Sequence, residues 1–316
     1  MNRVVRAFAK RLFGMLIVLL IVATLVFIIV RVTPGDPAAV MLGSDATPAD
    51  IAQLRERLGL DAPLIVQYGH FMLGLLKGDL GHSIFLNQSV GQALLARAEP
   101  TFFLTLFSIL IASAIALPVG ILSAVKRGTI FDQIVVTLTM VAASVPSFWL
   151  GLILIQVFAV QLGWFPASGY GGPATPFLDR LGHLVLPAVA LGVVNSALIT
   201  RFTRAAMLDV LGDDYVRTAR AKGANERRVV LKHAFRNALV PIITVIGLSI
   251  AMLVAGAVVT ETVFGLPGVG NLVVSAVLRR DYPVIQGTLL VVAAIYVLIN
   301  FIVDMLYVVA DPRVRL

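Results

Sequence analysis

The sequence has no cysteine and very little charge, and both scarcities narrow what the chain can be. None of its 316 residues is Cys, which excludes disulfides, thiolate metal ligands and a cysteine nucleophile and leaves the redox compartment open. Asp, Glu, Lys and Arg make up only 13% of the chain, where a soluble domain carries roughly a quarter. So few charges do not cover a water-facing surface, which argues against a soluble two-domain enzyme. What is abundant is apolar: 59% of residues are hydrophobic, and the mean hydropathy is +0.96. A multi-spanning membrane protein fits both figures. The net charge of +8 comes from basic residues that flank apolar runs rather than from an aromatic-interleaved basic stripe, so nucleic acid is not an expected partner.

A bilayer core about 30 Å thick takes about 20 apolar helical residues to cross. Residues 12–30 carry no charge and follow Arg3, Arg6, Lys10 and Arg11; the run is too long for a signal peptide and no A-x-A site follows it. Further spans are expected over 101–125, 134–160, 181–200, 239–260 and 284–303, six in all. The uncharged stretch 133–178 is long enough for two spans. Gly163, Pro166, Gly169, Gly171 and Gly172 would break a helix in lipid, however, so it reads as one long span kinked at Pro146 and then a surface loop. Segments 1–11, 126–132, 201–237 and 304–316 hold 17 of the 25 Lys and Arg, which puts them and both termini in the cytoplasm.

Between the first two spans, Thr47-Pro48-Ala49-Asp50 opens a helix that Gly59 stops, 63–77 is an apolar helix at the membrane surface or on the spans, and Ser89-Val90-Gly91-Gln92 opens a third short helix before Pro100. These form a helical cap on the external ends of the spans or a contact for an external partner. In the cytoplasmic segment, Asp213 can cap a short helix through Ala221, with Arg220 and Lys222 at its negative end. Gly223 then ends it, and Asn225 can cap a second helix running toward Pro241. Thr218 and Ala219 leave one side of the first helix small. A small surface bordered by arginines suits docking into a groove on another protein, but a solvated charged loop would look the same.

The run Asp214-Tyr215-Val216-Arg217-Thr218-Ala219-Arg220-Ala221-Lys222-Gly223, followed by Lys232-His233-Ala234-Phe235-Arg236-Asn237-Ala238, resembles the cytoplasmic "EAA" loop of ABC importer permeases. It is most similar to the dipeptide/oligopeptide subgroup, which also includes glutathione and nickel permeases. Arg217-Thr218-Ala219 stand where the general motif has Glu-Ala-Ala, Gly223 keeps its glycine, Phe235-Arg236 replace Leu-Pro, and Pro241 matches a further proline. Other subgroup marks occur in the same order: Pro34-Gly35-Asp36-Pro37, Arg57-Leu58-Gly59-Leu60-Asp61 with Pro63, Gly78-Asp79-Leu80-Gly81 with Ser83, Asp281-Tyr282-Pro283-Val284, and Asp311-Pro312-Arg313.

The resemblance implies an all-α membrane protein with the six-helix fold of type I ABC importer permeases, in the bacterial cytoplasmic (inner) membrane. It divides the chain into an N-terminus and first span (1–32), an extracytoplasmic helical segment (33–100), a permease core (101–309) containing a coupling loop (201–238), and a tail (310–316). The implied partners, besides the lipid bilayer, are a second homologous permease, two ABC ATPase subunits that bind ATP and Mg, and an extracytoplasmic solute-binding protein. The chain itself would hold no cofactor. Asp214, Tyr215, Arg217, Thr218, Ala219, Arg220, Lys222 and Gly223 would couple to the ATPase, with Gly223 turning the chain sharply. The external stretch 261–272, with Glu261, Phe264, Gly265, Pro267, Gly268 and Gly270, would face the binding protein or the external gate, or simply connect two helices. The glycine spacing in it superficially matches a phosphate loop, but Asn271 and Leu272 replace its Lys and Ser/Thr and no strand precedes it.

Two other classes compete. An ion-coupled secondary transporter of small solutes needs ionisable groups near the bilayer midplane, and the candidates, Glu261 and Asp304, lie at span ends; Asn300 and Asp304 read as an interfacial polar cluster. An intramembrane serine enzyme would rest on Gly247-Leu248-Ser249-Ile250-Ala251, but no His follows His233 to act as base, so Ser249 reads as a helix-packing residue. His70, His82, His183 and His233 lack metal-ligand spacing, and no metal site is expected. The sequence does not mark which residues bind substrate; Gln156 and Asn195 are the buried polar candidates.

Overall fold

In the computed structural model, residues 2–32, 37–43, 46–57, 59–83, 85–172 and 174–310 are described. Leu58 and the motifs Pro34-Gly35-Asp36 and Asp311-Pro312-Arg313 lie outside them. Helix α1 (Asn2–Val32) contains the first span, and α2 (Pro37–Leu42) follows it. Helix α3 (Pro48–Arg57) opens on a reciprocal cap: Thr47 Oγ1 accepts from the Asp50 N–H at 3.3 Å, while the Asp50 carboxylate accepts from the Thr47 hydroxyl at 2.6 Å and its N–H at 3.2 Å. These bonds hold the Asp50 carboxyl below the usual carboxylate range. Gly59, at φ +65°, ends the helix as its position implies. Helix α4 (Leu64–Leu76) packs on α1, with Phe27 against Tyr68 and Phe71, a 2.8 Å bond between the Thr24 and Tyr68 hydroxyls, and Arg31 Nε donating to Gln67 at 2.8 Å.

Two-residue strands β1 (His82–Ser83) and β2 (Gln88–Ser89) pair antiparallel, a small departure from an all-helical chain. Helix α5 (Val90–Val125) begins at the Ser89 cap, whose hydroxyl accepts from the Gln92 N–H at 3.3 Å. The expected third short helix is therefore not separate: it is the first part of α5, which runs through Pro100 and Pro118 into the second span. Prolines that would end a helix in water are tolerated in membrane helices, where neighbouring groups satisfy the freed carbonyls.

The third span is more than kinked. Helix α6 (Ile130–Ser144) ends at Val145, which proline forces into the extended region at φ −84°, ψ 123°. Pro146 is also extended, and α7 (Ser147–Leu154) leaves at 93° to α6, continuing as a π-helical stretch over Ile155–Gln161. After the glycine-rich loop come α8 (Phe177–Gly182) and α9 (Val185–Leu211), which extends the fourth span eleven residues past its expected end at 200. Helix α10 (Asp214–Ala221) has the expected bounds. Helix α11 (Glu226–Arg228), a π-helical turn over Val229–Ala234 and α12 (Phe235–Val263) form one rod, so the expected coupling loop 201–238 is mostly helix on both sides of α10. Helices α13 (Val269–Arg279) and α14 (Tyr282–Ala310) complete the described residues. Among the described residues five helices are long and apolar enough to span a bilayer, and the bent α6–α7 pair makes six.

Helices α5, α9 and α12 form the centre, joined by α7 and by Phe264 and Leu266 from the turn after α12. Without a hydrophobic drive in lipid, helices associate by close approach over small residues. Here Gly120 of α5 lies against Thr203 of α9, Gly192 of α9 against Ile111 of α5, and Gly247 of α12 against Val303 of α14. Ser249, fully buried, belongs to the same packed stretch of α12. Burial is 56% in the α9 span but only 22% in that of α1 and 6% in that of α14, which makes α1 and α14 the peripheral pair.

Ion pairs tie the ends. Arg204 on α9 makes a bidentate bond to Asp132 at 2.7 and 2.8 Å, and Asp132 also accepts from Ser123 at 2.5 Å and the Gly128 N–H at 3.0 Å. Arg11 on α1 pairs with Asp304 on α14 at 2.8 Å, while Asn300 donates to the Tyr296 carbonyl in its own helix. The expected Asn300–Asp304 cluster is thus an interhelical ion pair with Asn300 beside it.

Candidate functional site

Two constellations stand at opposite ends of the helices. The first is α10. Asp213 occupies the N-cap position in extended backbone as expected, although its side chain makes no capping bond. The helix closes on paired bonds, from the Gly223 N–H to the Arg220 carbonyl at 2.9 Å and from the Ala224 N–H to the Ala219 carbonyl at 3.2 Å, with Gly223 at φ +79°. Arg220 folds over this turn onto Glu226, bidentate at 2.7 and 3.1 Å, which raises its already high pKa.

One residue fixes which way α10 faces. Val216 is fully buried while Asp214, Tyr215, Arg217, Thr218, Arg220, Lys222 and Gly223 are exposed and Ala219 is half-buried. Helix α10 touches the π-helical turn over Val229–Ala234, and that turn belongs to a separate apolar cluster in which Ala124, Ala206, Met207, Ala234, Ala238 and Ile242 join α5, α9 and the rod that ends in α12. The Tyr215 hydroxyl accepts from Asn237 at 2.8 Å, which fastens α10 to the same rod. Of the residues expected to couple, all but Ala219 are therefore exposed, and Ala219 turns toward the side that Val216 buries. Val216, Glu226 and Asn237 were not singled out in sequence; Val216 with Ala219 at i, i+3 spacing on a polar helix was the available signal.

The second constellation surrounds Glu261. The stretch 261–272 is not a free loop: its first three residues belong to α12 and its last four to α13. Glu261 is fully buried, accepting from the Thr101 hydroxyl of α5 at 2.5 Å and from the Asn271 N–H at 3.0 Å, and Thr101 Oγ1 in turn accepts from the Val269 N–H at 2.9 Å. A Cβ at Gly268 would strike the Glu261 carboxylate, and one at Gly270 would lie 2.5 Å from Val258 Cα. The glycines are there so that the backbone can close around a carboxylate. Phe264 is buried, while Gly265 and Pro267 are exposed, and the Phe264 carbonyl accepts from the Gly169 N–H at 2.8 Å. Beside this turn, Tyr170 donates to Glu99 at 3.0 Å and Arg180 pairs with Glu99 at 2.7 Å. Burial, then the bond to Glu99, pushes the Tyr170 phenol up to about 12.

Neither Glu261, clamped at this end, nor Asp304, paired with Arg11 at the other, stands at mid-span as an ion-coupled carrier would need. Of the polar residues expected to be buried, Gln156 is exposed on the π-helical stretch, and half-buried Asn195 donates to Leu191 in its own helix at 2.9 Å.

The chain matches two family models: the binding-protein-dependent transport system inner membrane component over residues 116–316, and the N-terminal region of such membrane components over 4–92. It is 44% identical to a di/tripeptide transport system permease protein of Pseudomonas aeruginosa, with 98% of each chain covered. It is 46% identical to a glutathione transport system permease protein of Pectobacterium atrosepticum, again over 98% of each. Among solved structures it is similar in fold to the MetNI methionine ABC transporter in inward-facing conformations, at a TM-score of 0.58 and 21% identity, covering 70% of this chain and 97% of that one. The six-span architecture and the whole-length likeness together place the chain in the binding-protein-dependent transport system inner membrane component family, the permeases of ABC importers.

Proposed function

We propose that this chain lines half of an import pathway for di- and oligopeptides or a closely similar small solute such as glutathione. The peptide and glutathione permeases that match it from end to end support that substrate class. The pathway is completed by a second, homologous permease; two ATPase subunits bind ATP and Mg, and an extracytoplasmic solute-binding protein delivers the solute. The chain carries out no bond chemistry. It converts a push on its cytoplasmic face into a change of access. Both termini lie in the cytoplasm, in keeping with the basic bias of the segments at that face and with Arg11 and Asp304 meeting at one end of the helices.

The observation that carries the mechanism is the seating of α10. Val216 is held in the bundle while Arg217, Thr218 and Lys222 project, so a partner gripping the exposed face moves the buried one with it. Because α11 and α12 form one rod beyond Gly223, movement at α10 passes along that rod toward Glu261 at the far end. The exposed Gly265 and Pro267 then offer the binding protein a rigid turn backed by the Glu261 clamp.

Reconstitution tests this. Proteoliposomes holding both permeases and the ATPases, supplied with binding protein and labelled dipeptide, should accumulate dipeptide only with ATP inside, and vanadate should stop it. Uptake driven by an ion gradient without ATPase subunits would sink the proposal.

A further inference from the structure

The peripheral helices α1 and α14 are in contact at the end that carries Arg11 and Asp304. At that end Phe8 meets Phe301 edge-on, with ring centroids 5.4 Å apart, and Arg11 pairs with Asp304. Just beyond it a cleft of about 540 Å³ opens between the two helices, well inside the range of roughly 300–1,000 Å³ typical of small-molecule sites. Each helix contributes the same stripe: Lys10, Arg11, Gly14, Met15 and Val18 on one side, Tyr296, Val297, Asn300, Phe301 and Asp304 on the other. Both stripes step as i, i+1, i+4, i+5 and i+8, so the cleft is about 12 Å long at 1.5 Å per residue. Its chemistry is graded along that length. Lys10, Arg11 and Asp304 stand at the end, and apolar walls of Met15, Val18 and Val297 run inward.

A missing side chain makes the cleft. A Cβ placed at Gly14 would meet nothing within 4 Å, so the space is not filled by this chain. It opens on the outer surface of this chain, and a void there is occupied by whatever matches both its polar end and its apolar walls. The end residues leave one net positive charge after Asp304 is counted, and the first eleven residues carry four basic and no acidic side chains. Arg11 keeps further N–H donors beyond those facing Asp304, since guanidinium offers five. Basic pockets between spans at the membrane surface suit phospholipid head groups.

We propose that this cleft binds one anionic glycerophospholipid, its phosphate on Lys10 and Arg11 and one acyl chain lying between α1 and α14 past Gly14. The inference needs only that both helices span the bilayer and is independent of the solute carried. A lipid wedged there adds to the contact between the peripheral helix pair by filling space that protein atoms leave open.

Native mass spectrometry of the assembled transporter tests it, with palmitoyl-oleoyl phosphatidylglycerol and the phosphatidylcholine of the same chains as probes. The wild type should retain one phosphatidylglycerol per copy of this chain, bound roughly tenfold or more tighter than phosphatidylcholine, the factor one or two basic contacts supply. Gly14→Leu, whose Cβ meets no protein atom within 4 Å, should lose that bound lipid while the transporter stays assembled. Lys10→Gln should keep a lipid but lose the preference for phosphatidylglycerol. Equal retention of the two lipids by the wild type, or undiminished retention by Gly14→Leu, overturns the proposal. Because the chain has no cysteine, Gly14→Cys also gives a single reporter. Its crosslinking to the second permease in the assembled transporter would show that protein, not lipid, fills the cleft, and overturns the proposal as well.

Discussion

Thr101 and Glu261, 160 residues apart in sequence, share a 2.5 Å hydrogen bond at the point where α5, α12 and α13 meet. The hydroxyl both donates to the carboxylate and accepts from the Val269 N–H, and the other carboxylate oxygen takes the Asn271 N–H. A buried carboxylate is tolerable only when its lone pairs are matched in this way. The turn that supplies the matching donors must approach very closely, which is why its side chains at 268 and 270 are hydrogens.

Gly268→Ala and Gly270→Ala should therefore each cost about 1–3 kcal/mol, the usual penalty for overpacking. Gly256→Ala, whose added Cβ meets nothing within 4 Å, serves as the control and should be neutral or slightly stabilising. Thermal unfolding of the purified permease in detergent measures all three. Equal melting temperatures for the Gly268 and Gly256 variants would mean that the clamp does not hold the turn.

The Asp132–Arg204 pair makes a prediction about order. The Asp132 side chain is 6% exposed and that of Arg204 is 25% exposed, so Asp132 is the worse group to leave charged and alone. Breaking a buried pair by removing one partner costs about 3–5 kcal/mol, with partial exposure lowering the figure. Arg204→Met, which strands Asp132, should destabilise more than Asp132→Asn, which strands Arg204. Denaturant unfolding that ranks them the other way would show that Ser123 and the Gly128 N–H suffice to hold the carboxylate.

Much of this was legible in sequence because it depends on local rules. The cap at Thr47 and Asp50, the stop at Gly59, and α10 between Asp213 and Gly223 follow from residues within one turn of each boundary. The presented residues of α10 were legible too, through the family's motif. What was missed depends on the surroundings. Pro100 looks like a helix end by the rules of water but sits inside a membrane helix, and Val145-Pro146 gives no sign in sequence that the axis turns through 93° rather than a kink's worth. The glycines after Glu261 read as a loop facing a partner or as a plain helix connection, because the group that explains them, Thr101, is far away in the chain.

Helix endings offer a third test. Helices α3, α4, α10 and α12 all close with a left-handed glycine, at Gly59, Gly78, Gly223 and Gly265. Helix α13 closes the same way with Arg280 at φ 54°. A non-glycine residue in this region costs roughly 1–2 kcal/mol, partly offset by the greater unfolded-state freedom of glycine. Arg280→Gly should therefore raise the melting temperature, and Arg280→Ala should not. A fall with glycine would mean that the Arg280 side chain makes a contact worth more than the strain it carries.

Tyr170 sets an upper pH limit on the cluster around Glu99. Its folded pKa of about 12 lies above the ordinary tyrosine value of 10.0, so the neutral phenol is the form the fold prefers. That contribution to stability is complete below pH ~10 and is lost as pH rises through ~12. Across the physiological range the Tyr170–Glu99 bond should be insensitive to pH. Ultraviolet titration of the wild type should show a late-ionising phenol that Tyr170→Phe abolishes; an unchanged titration curve in the variant would assign that ionisation to another tyrosine.

Gly223 separates backbone from packing at the proposed coupling site. It adopts φ +79°, yet a Cβ there would meet nothing within 4 Å, so any effect of substitution comes from the turn itself. Valine is disfavoured at positive φ, whereas asparagine adopts it comparatively easily. Straining the turn by about 1.4 kcal/mol lowers the population of the seated geometry roughly tenfold. In a reconstituted transporter, Gly223→Val should then take up roughly tenfold less solute per ATP hydrolysed, while Gly223→Asn stays near the wild type, since the turn and not the side chain sets the geometry. Two variants equally impaired would point to a steric clash with a docked ATPase, and two variants equally active would remove Gly223 from the coupling path.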